Sequence, residues 1–118
     1  MINILIIYFF AADNYLVIIM KERPKLDRII NVALAVTGVS REQLIGIGRS
    51  SQINICRGIY LMLAYEFGYK IEEAARVIHR SRTSCITTTN RYLGYYSVGD
   101  KTITKYFIQC INLLRNGK

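Results

Sequence analysis

Apolar positions recur along most of this chain at three- and four-residue intervals, the period of helices that bury one face. Ile71, Ala74, Ala75 and Ile78 fall at i, i+3, i+4 and i+7 and predict a short helix. Arg80-Ser81-Arg82 interrupts that stripe, and from Thr83 onward small and apolar residues return at Cys85, Ile86, Thr89 and Leu93. The return predicts a second helix, with Ser81 as its N-cap. Upstream, Pro24 suits a first helical turn. Leu26, Ile29, Ile30, Ala33, Leu34 and Val36 then give that helix a buried face until Thr37-Gly38 stops it. Ser40 and Gln43 form a capping box that opens a short helix through about Ile45. After a glycine- and serine-bearing loop over 46–52, the residues from about Ile53 to Phe67 are apolar nearly all round, which marks a central helix. Gly68 ends it. Gly94 to Gly99 reads as a connection, and Ile103, Tyr106, Phe107, Cys110, Ile111 and Leu114 give a last helix its core face. The expected fold class is all-α, a small helical bundle spanning 21–118, with a helix-turn-helix near its centre.

The first twenty residues depart from this pattern, with one charge, Asp13, in an otherwise apolar run. Three readings compete. A membrane span has about the ~20 residues required, but Asp13 at its middle costs roughly 2.5 to 3.5 kcal/mol, and no positive n-region marks a secretory signal. A packed segment is a second reading, either a helix or a hairpin turning at residues 12–14. The third is that Met20 is the start of the protein and residues 1–19 are an extension. Membrane contact through residues 1–20 is allowed but not favoured.

Charge narrows the partner. Sixteen lysines and arginines against eight acids give a net charge of +8, which suits a polyanion such as nucleic acid. From Ala74 to Lys118 there are eight basic residues and one acid, Asp100, so the excess overlaps the two linked helices. Cys56, Cys85 and Cys110 are widely spaced in apolar contexts, without the pairing of a zinc site or a disulfide framework, and fit a reducing cytoplasm. His79 is the lone histidine and has no carboxylate pair or nucleophile motif around it. No catalytic constellation or phosphate-cradling glycine loop is visible, so the expectation is a protein without enzymatic activity or cofactor.

The second of the linked helices points Arg82, Thr83, Ser84, Thr87, Thr88 and Arg91 away from its packing face. In a major groove, threonine can hydrogen-bond a base edge or touch a thymine methyl, and arginine can grip guanine O6 and N7. The bland alternative is a solvated polar face, or a basic surface for an acidic protein.

The order of elements from about Ile29 to Leu114 resembles the C-terminal DNA-binding domain of the bacterial replication initiator DnaA. VALAVTGVSREQLIG (32–46) looks like that family's opening helix and its V-S-x-x-x-L entry. GRSSQINICRGIYLMLAYEF (48–67) is similar to its basic loop and following helix. RVIHRSRTSCITTTNRY (76–92) resembles the signature G-R-D-H-T-T-V, with Arg80 and Thr83 identical and Ser84 in place of the second threonine. The resemblance implies that Ser81, Arg82, Thr83 and Ser84 face bases, that Arg49 enters the minor groove, and that Arg57 and Arg80 hold phosphates. Departures imply a changed target. Ser81-Arg82 stand where the signature has Asp-His, exchanging an acceptor for a guanine-preferring fork, and Ile78-His79 replace two glycines. The family's ATP-binding motor domain is not in this sequence. Double-stranded DNA is the implied partner, with replication or transcription proteins as further ones.

Overall fold

A computed structural model of the chain describes residues 23–116, so the readings for residues 1–20 lie outside the described residues. Among the described residues six helices follow one another: α1 (Leu26–Thr37), α2 (Arg41–Ile45), α3 (Ser51–Glu66), α4 (Ile71–Val77), α5 (Arg82–Ser97) and α6 (Lys101–Asn116). No strand occurs among the described residues, and none of their helices is long and apolar enough to cross a membrane.

α3 touches all five other helices, because it has no polar face over its second half. Gly58 through Ala64 are buried without interruption, with Ile53, Cys56 and Phe67 continuing the same core. α1 and α6 cover one side through Ile29, Ile30 and Ala33 against Ile103, Phe107, Cys110 and Leu114. α4 and α5 cover the other through Ala74, Ala75, Cys85 and Tyr92. α3 and α5 meet tightly at Gly58, where the Tyr92 ring lies against the glycine and fixes the height of α5 above the core. Tyr60, also in α3, donates its hydroxyl to the Ala74 carbonyl at 2.9 Å and ties down α4 from beneath.

Helix starts follow side-chain caps. Ser40 and Gln43 form the expected capping box, and Ser81 accepts from the Ser84 amide at 3.1 Å. Ser50 accepts from the Ile53 amide, so α3 starts at Ser51, two residues earlier than its apolar pattern, and the preceding loop shrinks to 46–50. α1 begins at Leu26 rather than at Pro24, which lies outside the helix and lends its carbonyl to the Tyr69 hydroxyl at 2.6 Å. α5 crosses Gly94 and runs to Ser97, where the sequence pattern predicts a connection. An internal glycine costs about 1 kcal/mol, but tertiary contacts before and after it, Tyr92 on Gly58 and Tyr96 on Phe107, hold the helix. The Tyr92 and Tyr95 rings meet edge-on at 5.1 Å, and Tyr96 packs on Phe107 at 5.0 Å.

Three helices end with the same pair of crossed backbone hydrogen bonds, a motif that needs a left-handed residue just past the helix. α3 and α5 use Gly68 and Gly99 there. α4 uses His79, at φ 58°, with the His79 amide bonded to the Arg76 carbonyl and the Arg80 amide to the Ala75 carbonyl. This is the tight turn between α4 and α5. A residue with a Cβ pays a conformational cost there, so His79→Gly should raise stability by about 1 kcal/mol, read as an increase in the thermal midpoint.

Candidate nucleic-acid interface

The outward side of α5 is set by the residues it buries. Cys85, Thr89 and Tyr92 face the core, which leaves Thr83, Thr87 and Arg91 at i, i+4 and i+8 on the opposite side, all exposed. Ser84 is exposed one position along, and Thr88 is half-buried. The row of three threonines therefore splits, Thr87 and Thr88 lying toward solvent or groove and Thr89 lying in the core with a hydroxyl that has no hydrogen-bond partner.

Beside α5, loop 46–50 and the first turns of α3 enclose a groove of about 400 Å³. Arg49, Arg57, Arg80 and Arg91 line it together with Ser84 and Thr88, and no carboxylate is among its lining residues. Its floor is apolar, formed in part by Leu61, Ile78 and Cys85. Burial pulls the Arg57 guanidinium below its ordinary pKa and the charge of Arg80 adds to that pull, while Cys56 opposes it and Arg49 contributes least. The groove is therefore a concentration of positive charge that an anion would relieve.

Of the ten residues expected at a DNA surface, Arg49, Arg57, Arg80, Ser84, Thr88 and Arg91 meet in this groove, while Ser81, Arg82, Thr83 and Thr87 are exposed on or next to α5. Ser81 is committed as a helix cap. Arg82 donates from Nε to Glu72 Oε2 at 3.1 Å.

Arg57 and Arg80, for which the resemblance implies phosphate contacts, are both engaged with backbone carbonyls beside the groove. Arg57 donates to the carbonyls of Leu44 and Gly48 at 3.0 Å, Gly46 at 2.8 Å and Gln43 at 3.4 Å, and to Asn54 Oδ1 at 3.3 Å. Arginine has five N–H groups, so none remains for a ligand. Arg80 donates to the carbonyls of Ile45 (3.0 Å) and Gly46. Four consecutive carbonyls, 43 to 46, from the last turn of α2 into the loop, thus meet two guanidiniums, and Arg57 also holds the Gly48 carbonyl, which fixes the course of the loop. Its apex carries Ile47, 92 % exposed, and Arg49, whose carbonyl receives the Asn54 Nδ2 at 3.4 Å. The sequence pattern does not single out Asn54, which lines the groove and links Arg49 to Arg57. The available signal was its place three residues before Arg57 on the same helix, within side-chain reach.

All three cysteines are buried, and desolvation raises each thiol pKa, that of Cys110 to about 12, so they are protonated at neutral pH. Among the described residues no three His, Cys, Asp or Glu side chains converge as a metal site would require.

The fold and its groove define a small all-helical protein with an arginine-lined cleft beside a hydroxyl-bearing helix. Comparison with known protein families, with curated proteins and with solved structures gives no match to this chain.

Proposed function

We propose that this chain is a sequence-specific reader of double-stranded DNA, in which α4 and α5 act as a helix-turn-helix and the start of α5 enters the major groove. The observation that carries this reading is the groove itself: four arginines with no acid among them, continuous with the outward face of α5. A generally solvated face would intersperse acids among the arginines. In this reading Arg82, Thr83, Ser84 and Thr87 meet base edges, while Arg49 reaches the adjacent minor groove or backbone from its fixed loop. Arg91 and Thr88 flank the phosphates. Arg57 and Arg80 contribute charge at a distance and hold the loop. The resemblance of residues 29–114 to the DnaA C-terminal domain favours a role at a replication origin, in the cytoplasm, over promoter repression by the same unit.

Selection from random duplex DNA by the full chain at near-physiological salt tests this. Enrichment of one motif of about nine base pairs, roughly a turn of duplex, is the expected result. Arg82→Ala should then cost about 1 to 3 kcal/mol on that motif and relax the preference at one base pair. Binding without enrichment that disappears as salt rises would overturn the proposal.

A further inference from the structure

α4 carries two adjacent acids in its first turn, and their carboxylates reach different partners. Glu73 accepts from the Lys70 amide and completes the cap of that helix. Glu72 is exposed and packs against nothing in the core, and its carboxylate reaches across to Arg82 at the start of α5. Both side chains are about half exposed, 52 % for Glu72 and 58 % for Arg82. The contact uses only the Nε of Arg82. Among the described residues its two terminal amino groups have no protein partner, and they form the edge that pairs with guanine O6 and N7.

A carboxylate in this position is unfavourable for general affinity to DNA. It stands at the base of the proposed recognition helix of a chain with net charge +8, where it repels phosphate and offsets part of the Arg82 charge. It also stays ionised, its pKa being lowered by its own backbone amide and then by Arg82 and Lys70. A protein selected only to hold DNA would do better with a neutral residue there. A protein that must choose among sequences gains from it, because an arginine held at Nε presents one fork in one orientation, and a free one can settle on phosphates or on other bases.

We infer that Glu72 is a positioning residue for base selection, holding Arg82 by Nε so that its terminal amino groups read a guanine end-on. The inference rests on the DNA-reading function above. It makes a prediction of opposite signs for one substitution: less discrimination, yet tighter binding to arbitrary DNA.

The test measures binding of the full-length wild type, Glu72→Ala, Glu72→Gln, Arg82→Ala and the Glu72→Ala/Arg82→Ala double variant. The probes are the selected duplex, the same duplex changed at the base pair that Arg82→Ala relaxes, and an unrelated duplex. Glu72→Ala should lower the preference for the correct base pair about five- to tenfold, within the range a bidentate contact supplies, and raise affinity for the unrelated duplex. Glu72→Gln, which keeps an acceptor but not the charge, should fall between. In the Arg82→Ala background, removing Glu72 should change discrimination no further. Unchanged discrimination in Glu72→Ala, or an equal loss with Arg82 already removed, overturns the positioning role while leaving DNA reading intact. A wild type that selects no motif overturns both. Helical circular dichroism and the thermal midpoint of each variant separate these outcomes from misfolding.

Discussion

Gly58→Ala is expected to lower stability by about 1 to 3 kcal/mol, the usual cost of forcing an extra methyl into a packed core. A Cβ at residue 58 would lie 2.4 Å from Cγ and 2.5 Å from both Cδ atoms of the Tyr92 ring. Carbon atoms do not approach to that distance, and the obstacle is a ring buried between two helices, not a flexible side-chain end. Either Tyr92 leaves its rotamer or α5 moves away from α3. The denaturant midpoint should fall with an unchanged slope if the native state remains compact. Tyr92→Leu in the same chain removes the flat ring and should make the double variant less unstable than the sum of the single losses. A fully stable Gly58→Ala would mean that the ring does not rest on residue 58. The substitution also reaches the candidate interface, because Ser84, Thr88 and Arg91 take their height above the groove from this contact, and a displaced α5 would reset all three against Arg49.

This contact shows where sequence reading reaches and where it stops. The helices were legible because each buries a stripe or a whole surface, and Ser40, Ser81 and Gly68 punctuate them by local chemistry that needs no tertiary information. The reach of α5 through Gly94 was not legible. Local propensity favours a break there, and the contacts that override it, Tyr92 on Gly58 and Tyr96 on Phe107, join residues whose proximity exists only after folding. The turn at 78–81 was visible as an interruption, but its left-handed residue was not, since histidine in place of glycine carries no signal of positive φ. At the candidate site, periodicity alone separated the outward Thr83, Thr87 and Arg91 from the buried Cys85 and Thr89. Periodicity cannot show what an arginine donates to. Arg49 and Arg57 look equivalent in sequence, both basic and both near a glycine loop, yet one is exposed and the other is spent on five acceptors.

That difference makes Arg57 the other position of large expected effect. If Arg57 held phosphate, as the resemblance implies, its removal would leave the free protein nearly as stable as before, within about 0.5 kcal/mol for a surface substitution. In the structure its side chain binds the carbonyls of residues 43, 44, 46 and 48. Hydrogen bonds to a charged donor contribute about 1.5 to 3 kcal/mol each, but carbonyls near the surface recover water once the donor is gone, so we expect Arg57→Ala to cost roughly 2 to 3 kcal/mol in all. Arg57→Lys should recover little of this, because one ammonium cannot span acceptors that a planar fork meets on three sides. Arg49→Ala is the internal reference: an exposed side chain on the same loop, whose loss should spare stability and weaken DNA binding. Thermal and denaturant unfolding of the three variants without DNA decides the point. Arg57→Ala as stable as Arg49→Ala would return Arg57 to the phosphates. A selective loss in Arg57→Ala, with faster hydrogen exchange at the loop amides, would make the loop's shape, and with it the aim of Arg49, a product of this one guanidinium.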